Sequence, residues 1–309
     1  MVAGQERGGA LLVTLYSALM APENAAMANG INGIDHCLVG VHDLETARRS
    51  FARLGFTLSA MGRHPRWGTA NTCLMFPQNY IELLSIVDDS AANPVLRQFL
   101  HHRQGLTAVA LATDDAGEAA AALAAAGLAA PAPEDLSRTL ELPEGPAEPR
   151  FRLLHLPPEA TPNLTLMLTQ HLDPALVWRP EWQVHANGAQ AITAVTVVVD
   201  DPEGLIEPYE AIFGAGSGST TDDTLAVFTG RDRIMFVTPT DLGLLYPGIK
   251  VAEDLALPWI AALSLRVADT DATVACLEAG SVPYLRTDDG VVRVAPEEAC
   301  GVILEFASD

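Results

Sequence analysis

The stretch IDHCLVGVHDLETARRSFARLGF (residues 34–56) reads as a strand, a capped helix and a stop. IDHCLVG is short and largely apolar. Asp43 then stands where a carboxylate can accept from the orphan N–H groups of a helix start, and Gly55 comes after the helix as a residue suited to a left-handed turn. The same phrase recurs as LTAVALATDDAGEAAAALAAAGL (106–128), ITAVTVVVDDPEGLIEPYEAIFG (192–214) and AALSLRVADTDATVACLEAGSVP (261–283). From Asp43 to Gly55, Asp115 to Gly127, Asp201 to Gly214 and Asp269 to Gly280 the separations are 12, 12, 13 and 11.

Each copy leads into β-like runs: TANTCLMF (69–76) and NYIELLSIV (79–87), RFRLLHL (150–156) and NLTLMLT (163–169), TLAVFTG (224–230) and RIMFVTP (233–239), VVRVAP (291–296) and GVILEFA (301–307). A repeat of this period predicts an α+β fold of four βαβββ modules in two halves. The expected divisions are an N-terminal extension (1–32), a first half (33–173), a connection (174–189) and a second half (190–309). PAPEDLSRTLELPEGPAEP (131–149) reads as a surface insertion in the second module.

Composition narrows the function. The 309 residues carry 39 acids against 18 bases, a net charge of −21, and only one lysine, Lys250. Nucleic acid and anionic membrane are therefore excluded as partners, since both need clustered Lys and Arg. A small-molecule partner is expected, and the sequence leaves a homodimer open. Cys37, Cys73, Cys276 and Cys300 form no C-x-x-C pair, which points to reduced thiols and a cytoplasmic location. The stretch GALLVTLYSALMA (9–21) loosely matches a secretory signal. Glu6 beside Arg7 and the interruptions at Thr14, Tyr16 and Ser17 speak against it.

Paired βαβββ modules resemble the vicinal oxygen chelate superfamily. The phrases at 34–56, GRHPRWGTANTCLMF (62–76), NYIELLSIV and the connection PALVWRPEWQVHANGA (174–189) resemble its glyoxalase-like domain group. That resemblance implies a divalent metal, Fe, Mn, Ni or Zn, in a cup formed by two modules, with ligands from the first and last strand of each. Carried onto this sequence, the positions are His36 and Glu82, then Ala108 and about Thr165, Ala194 and about Met235, and Ala262 and Glu305. Half the ligand set of a lactoylglutathione lyase is thus replaced by other residue types. All eight histidines lie within the first 185 residues. The two histidines and carboxylate of an extradiol dioxygenase, which the superfamily would place in the C-terminal half, are absent, and that activity is excluded in its usual form.

The candidate metal ligands are accordingly His36 and Glu82, joined by Glu305 if the first and fourth modules share a cup. His64, Arg66, Trp67 and Asn71 offer a ring base, a cation, an apolar wall and an amide, a mixture suited to a small oxygenated ligand. His64 and Glu82 are the candidate catalytic groups. The expected function is metal-assisted lyase or isomerase chemistry on a small oxygenated metabolite. The alternatives are a binding protein that has lost the metal, and a second half that serves mainly to complete or dimerise the first.

Overall fold

The computed structural model describes residues 28–91, 93–221, 223–252 and 255–308. The signal-like stretch at 9–21 lies outside the described residues. The first half contains β1 (Ile34–Gly40), α1 (Leu44–Arg53), β2 (Gly62–His64), β3 (Thr69–Met75), β4 (Tyr80–Ile86), α2 (Pro94–His102), β5 (Gly105–Ala112), α3 (Ala116–Ala125), β6 (Glu134–Ser137), β7 (Thr139–Leu142), β8 (Gly145–Ala147), β9 (Arg150–His155) and β10 (Leu166–His171). A short turn of helix, α4 (Pro174–Val177), leads to the second half. That half holds β11 (Ala189–Val198), α5 (Ile206–Phe213), β12 (Gly218–Thr221), β13 (Thr224–Phe228), β14 (Arg233–Val237), α6 (Pro239–Leu245), β15 (Trp259–Val267), α7 (Thr270–Ala279), β16 (Leu285–Arg286), β17 (Val292–Val294) and β18 (Ile303–Ala307).

Each half is one sheet with its first and second modules joined through antiparallel central strands. The orders are β6-β9-β10-β5-β1-β4-β3-β2-β7-β8 and β12-β13-β14-β11-β15-β18-β17-β16. Three repeat aspartates cap as their position suggests. Asp43 accepts from Thr46 N, Asp115 from Gly117 and Glu118 N, and Asp269 from Asp271 N. The fourth, Asp201, accepts from Gly204 N in a 3₁₀ turn that leads into α5. Gly55 and Gly127 take positive φ, but Gly280 does not, and Ser281 carries the left-handed turn instead. Gly280 is needed for closeness, because a Cβ there would lie 2.1 Å from the Arg53 carbonyl oxygen.

One hydrophobic core is shared between the halves. Phe51, Ile81 and Val109 line it from the first half, and Tyr209, Phe236 and Phe306 from the second. Asn79 fixes the register of the halves by exchanging two 2.9 Å hydrogen bonds with the Ile192 backbone. The opposite face of each sheet forms a cup, and the two cups differ. In the second, α6 and the chain after it place Leu242, Leu245, Tyr246, Ile249 and Leu255 against Ala194, Met235 and Ala262, so the protein fills that cup with its own side chains.

The 131–149 segment is not a surface insertion. Its strand β6 pairs with β9 at one end of the first sheet, while β7 pairs with β2 toward the other end. Arg138 alone lies between them. The physical reason is a two-residue alternation: Leu136, Arg138, Leu140 and Leu142 share one face, and Arg138, Leu140 and Leu142 are buried. Among the described residues, no helix is long and apolar enough to cross a membrane.

Candidate active site in the first cup

The first cup encloses a cavity of about 670 Å³. Alternation along β1 sends Cys37 and Val39 to the shared core and His36 and Leu38 to the cup. In β4 the cup residues are Tyr80, Glu82 and Leu84. β1 and β4 run in parallel with Leu38 opposite Glu82, which brings the two candidate ligands together. His36 Nε2 lies 3.4 Å from Glu82 Oε2.

The surroundings of this pair are specific. Asp35, buried beside a register shift in β1, accepts from His36 Nδ1 at 2.6 Å and from His171 Nε2 at 3.1 Å. Burial alone would raise the Asp35 carboxyl, but the charges and hydrogen bonds of His171 and His36 hold it well below the ordinary carboxylate range. An ionised carboxylate can only accept, so His36 Nδ1 donates and its Nε2 faces Glu82. Burial would likewise raise Glu82. The fields of His36, His64 and Arg138 and the 2.6 Å bond from Asn71 Nδ2 keep it lowered. Tyr80 stacks on His36 with ring centroids 4.5 Å apart. Trp178 covers His171 at 4.6 Å and donates from Nε1 to the Phe76 carbonyl oxygen, which anchors the connection between halves.

The remaining sequence candidates separate. His64 lines the cavity, with Nδ1 3.1 Å from Thr69 Oγ1 and its ring 5.8 Å from that of Trp67. Arg66 also reaches the cavity but is largely exposed and ion-paired to Glu134. Asn71 is buried and holds Glu82 instead of lining the cavity. Glu305 does not join His36 and Glu82. It lies on β18 of the other sheet, accepting from Ser264 Oγ at 3.0 Å and from Arg293 Nε at 2.8 Å. Each half builds its cup from its own two modules, so a cup shared by the first and fourth is ruled out. The pairing Ala110–Met167 in β5 and β10 also makes Met167, not Thr165, the counterpart of Glu82 in the second module.

Sequence reasoning missed Asp35, Tyr80, His171 and Arg138. Asp35 was visible as an acid beside a histidine in an apolar strand. The link to His171 is made 136 residues away and had no local signal.

Desolvation pulls His64 down to about 4, against the opposing influence of Glu82. Its folded value lies below the ordinary 6.5, so between those values the unfolded chain binds more protons and acidification costs stability. We expect the His64 ring resonances to stay unshifted from pH 8 to pH 6 in an NMR titration, and His64→Gln to flatten the loss of stability in acid. A ring that titrates near 6.5 would show this assignment of environment to be wrong.

The glyoxalase-like domain family matches residues 34–213, more than half of the sequence. The chain belongs to the glyoxalase-like domain family. Solved structures share the fold of this glyoxalase-like protein. It is similar to a hypothetical protein from Staphylococcus aureus, at 14% identity and TM-score 0.62 over 89% of this chain and 99% of that one. It is also similar to a triple mutant of 4-hydroxymandelate synthase from Streptomyces coelicolor, at 14% identity and TM-score 0.57 over 90% and 93%. At such identities the likeness is one of fold. No curated protein matches the chain.

The donor set of the first cup fits a divalent cation as a two-residue half-site. A metal-binding histidine characteristically donates its other ring N–H to a carboxylate, as His36 does to Asp35. The other two register positions of the cup are Ala108 and Met167, and no group of three or more metal-ligating residues occurs among the described residues.

Proposed function

We propose that the first cup is a metal-assisted lyase or isomerase site for a small oxygenated metabolite. The observation that carries this reading is the line Asp35–His36–Glu82. With His36 Nδ1 donating to Asp35, Nε2 and a carboxylate oxygen stand 3.4 Å apart, and two lone-pair groups so placed call for a proton or a cation. His36 and Glu82 would hold Fe, Mn, Ni or Zn, and the bound cation would supply Lewis acidity toward a carbonyl oxygen.

The chain's own groups do the rest. Asp35 fixes the His36 ring, and Asn71 pins one Glu82 oxygen. His64, held neutral, can accept a proton or a hydrogen bond from the ligand at Nε2, while Nδ1 is turned to Thr69. Trp67 and the apolar wall offer the ligand's carbon skeleton a nonpolar surface. A homodimer and a reducing cytoplasm belong to the same reading, and the free state of all four cysteines supports the second of these. A non-catalytic binding cup is the second reading, favoured by Ala108 and Met167 where two further ligands would stand.

Elemental mass spectrometry on the full chain tests the choice. We expect near-stoichiometric metal in the wild type, lost in both His36→Ala and Glu82→Ala and retained in Glu305→Ala. No metal after reconstitution with Fe, Mn, Ni and Zn would end the lyase or isomerase reading.

A further inference from the structure

We infer that the ligand of the first cup is a monocarboxylate with an apolar tail, and that Arg138 seats its carboxylate. This rests on the reading of the first cup as the ligand site, though not on the metal. Arg138 is 4% exposed, yet it lines the cavity. Its only hydrogen bond from the side chain among the described residues runs from Nη1 to Cys73 Sγ at 3.5 Å, and its buried Nε has no partner. No carboxylate among the described residues lies within ion-pair distance of it. A buried guanidinium in that condition is costly, and an anion in the cavity would complete it.

Arg293, the buried arginine of the second cup, has Glu305, and Arg66 at the lip of the first has Glu134. Glu82 is the nearest internal candidate for Arg138, but it is engaged by His36 and Asn71. Gly62 makes room for the arrangement, since a Cβ there would come 2.3 Å from Asn71 Oδ1 and 3.3 Å from Arg138 Cδ.

A single guanidinium without an ion-pair partner selects a single carboxylate group. His64 is held neutral and Arg66 is paired, so Arg138, whose guanidinium carbon lies 5.6 Å from the Phe151 ring centroid, is the arginine of the described cavity wall without an ion-pair partner. A planar carboxylate also matches the two-pronged guanidinium. Beyond this polar floor the cavity is bounded by Leu96, Phe99, Leu153 and Met167, which suit an apolar tail.

Binding of octanoate, octanamide and inorganic phosphate to the full chain, measured by calorimetry, tests the inference. The wild type should bind octanoate at least about tenfold more tightly than octanamide. Arg138→Met should abolish that preference. Arg138→Lys, which keeps the charge and loses the fork, should reduce it at least about threefold and carries the test if the methionine variant does not fold. Equal binding of acid and amide by the wild type, no binding of the acid, stronger binding of phosphate, or an undiminished preference in the variants would overturn the inference. Metal content measured on the same samples separates the two readings. Metal without acid preference overturns this one alone, and acid preference without metal overturns the lyase or isomerase reading alone.

Discussion

Replacing Arg293 with methionine should destabilise the protein by about 3 kcal/mol, because one partner of a largely buried ion pair is left behind. Arg293 is 5% exposed and donates from Nε to Glu305, which also accepts from Ser264. The guanidinium carbon also sits 5.4 Å from the Tyr246 ring centroid, so the arginine ties the filling of the second cup to its sheet. Without it, Glu305 keeps a single hydroxyl donor among the described residues. Replacing both Arg293 and Glu305 with methionine should recover most of the loss, since an apolar pair needs no compensation. Urea unfolding of the single and double variants measures both. A single variant within about 1 kcal/mol of wild type would behave like an ordinary surface change and show that the buried charges are not interdependent.

The second large effect is expected at Asp35. Asp35→Ala removes the acceptor of two buried histidines at once, and His171 Nδ1 already has no hydrogen-bond partner among the described residues. A loss of about 3–5 kcal/mol is expected from leaving such groups without a partner in the interior. Asp35→Asn keeps the shape but offers an N–H where one acceptor oxygen stood, so it should fold with a smaller loss. Its diagnostic effect is on the proposed metal, whose affinity should fall by about 10–100-fold because the His36 ring is no longer held by a carboxylate. Titration of the folded Asp35→Asn protein with Zn gives the number directly. An affinity equal to that of the wild type would remove Asp35 from the proposed metal site.

The fold is legible because it is written four times. Asp caps and Gly stops at matched spacing give a signal that single strands lack, and the family match over 34–213 agrees with it. His36 and Glu82 are legible through the family resemblance, which implies ligands on the first and last strand of a module, and β1 lies beside β4. Arg138 is not, since the prolines and acids of its segment mask a period of two. Glu305 is misplaced for a different reason. The repeat shows which positions correspond, but which modules share a cup is decided by β1 lying against β5 and β11 against β15. Asp35 and His171 meet through sheet pairing that no local pattern reports.

Traffic into the cup is constrained by the step from β6 to β7. These strands belong to opposite flanks of the first sheet, and a single residue joins them. The seam between the modules is therefore laced covalently, and spreading it would break the pairing of β6 with β9 or of β7 with β2. The rim beside α2 carries no such lace. Val95 there is 74% exposed while also lining the cavity, so the cavity meets solvent on this side. Arg138 is that joining residue, so the guanidinium proposed to seat the ligand is tethered to both flanks of the sheet at once.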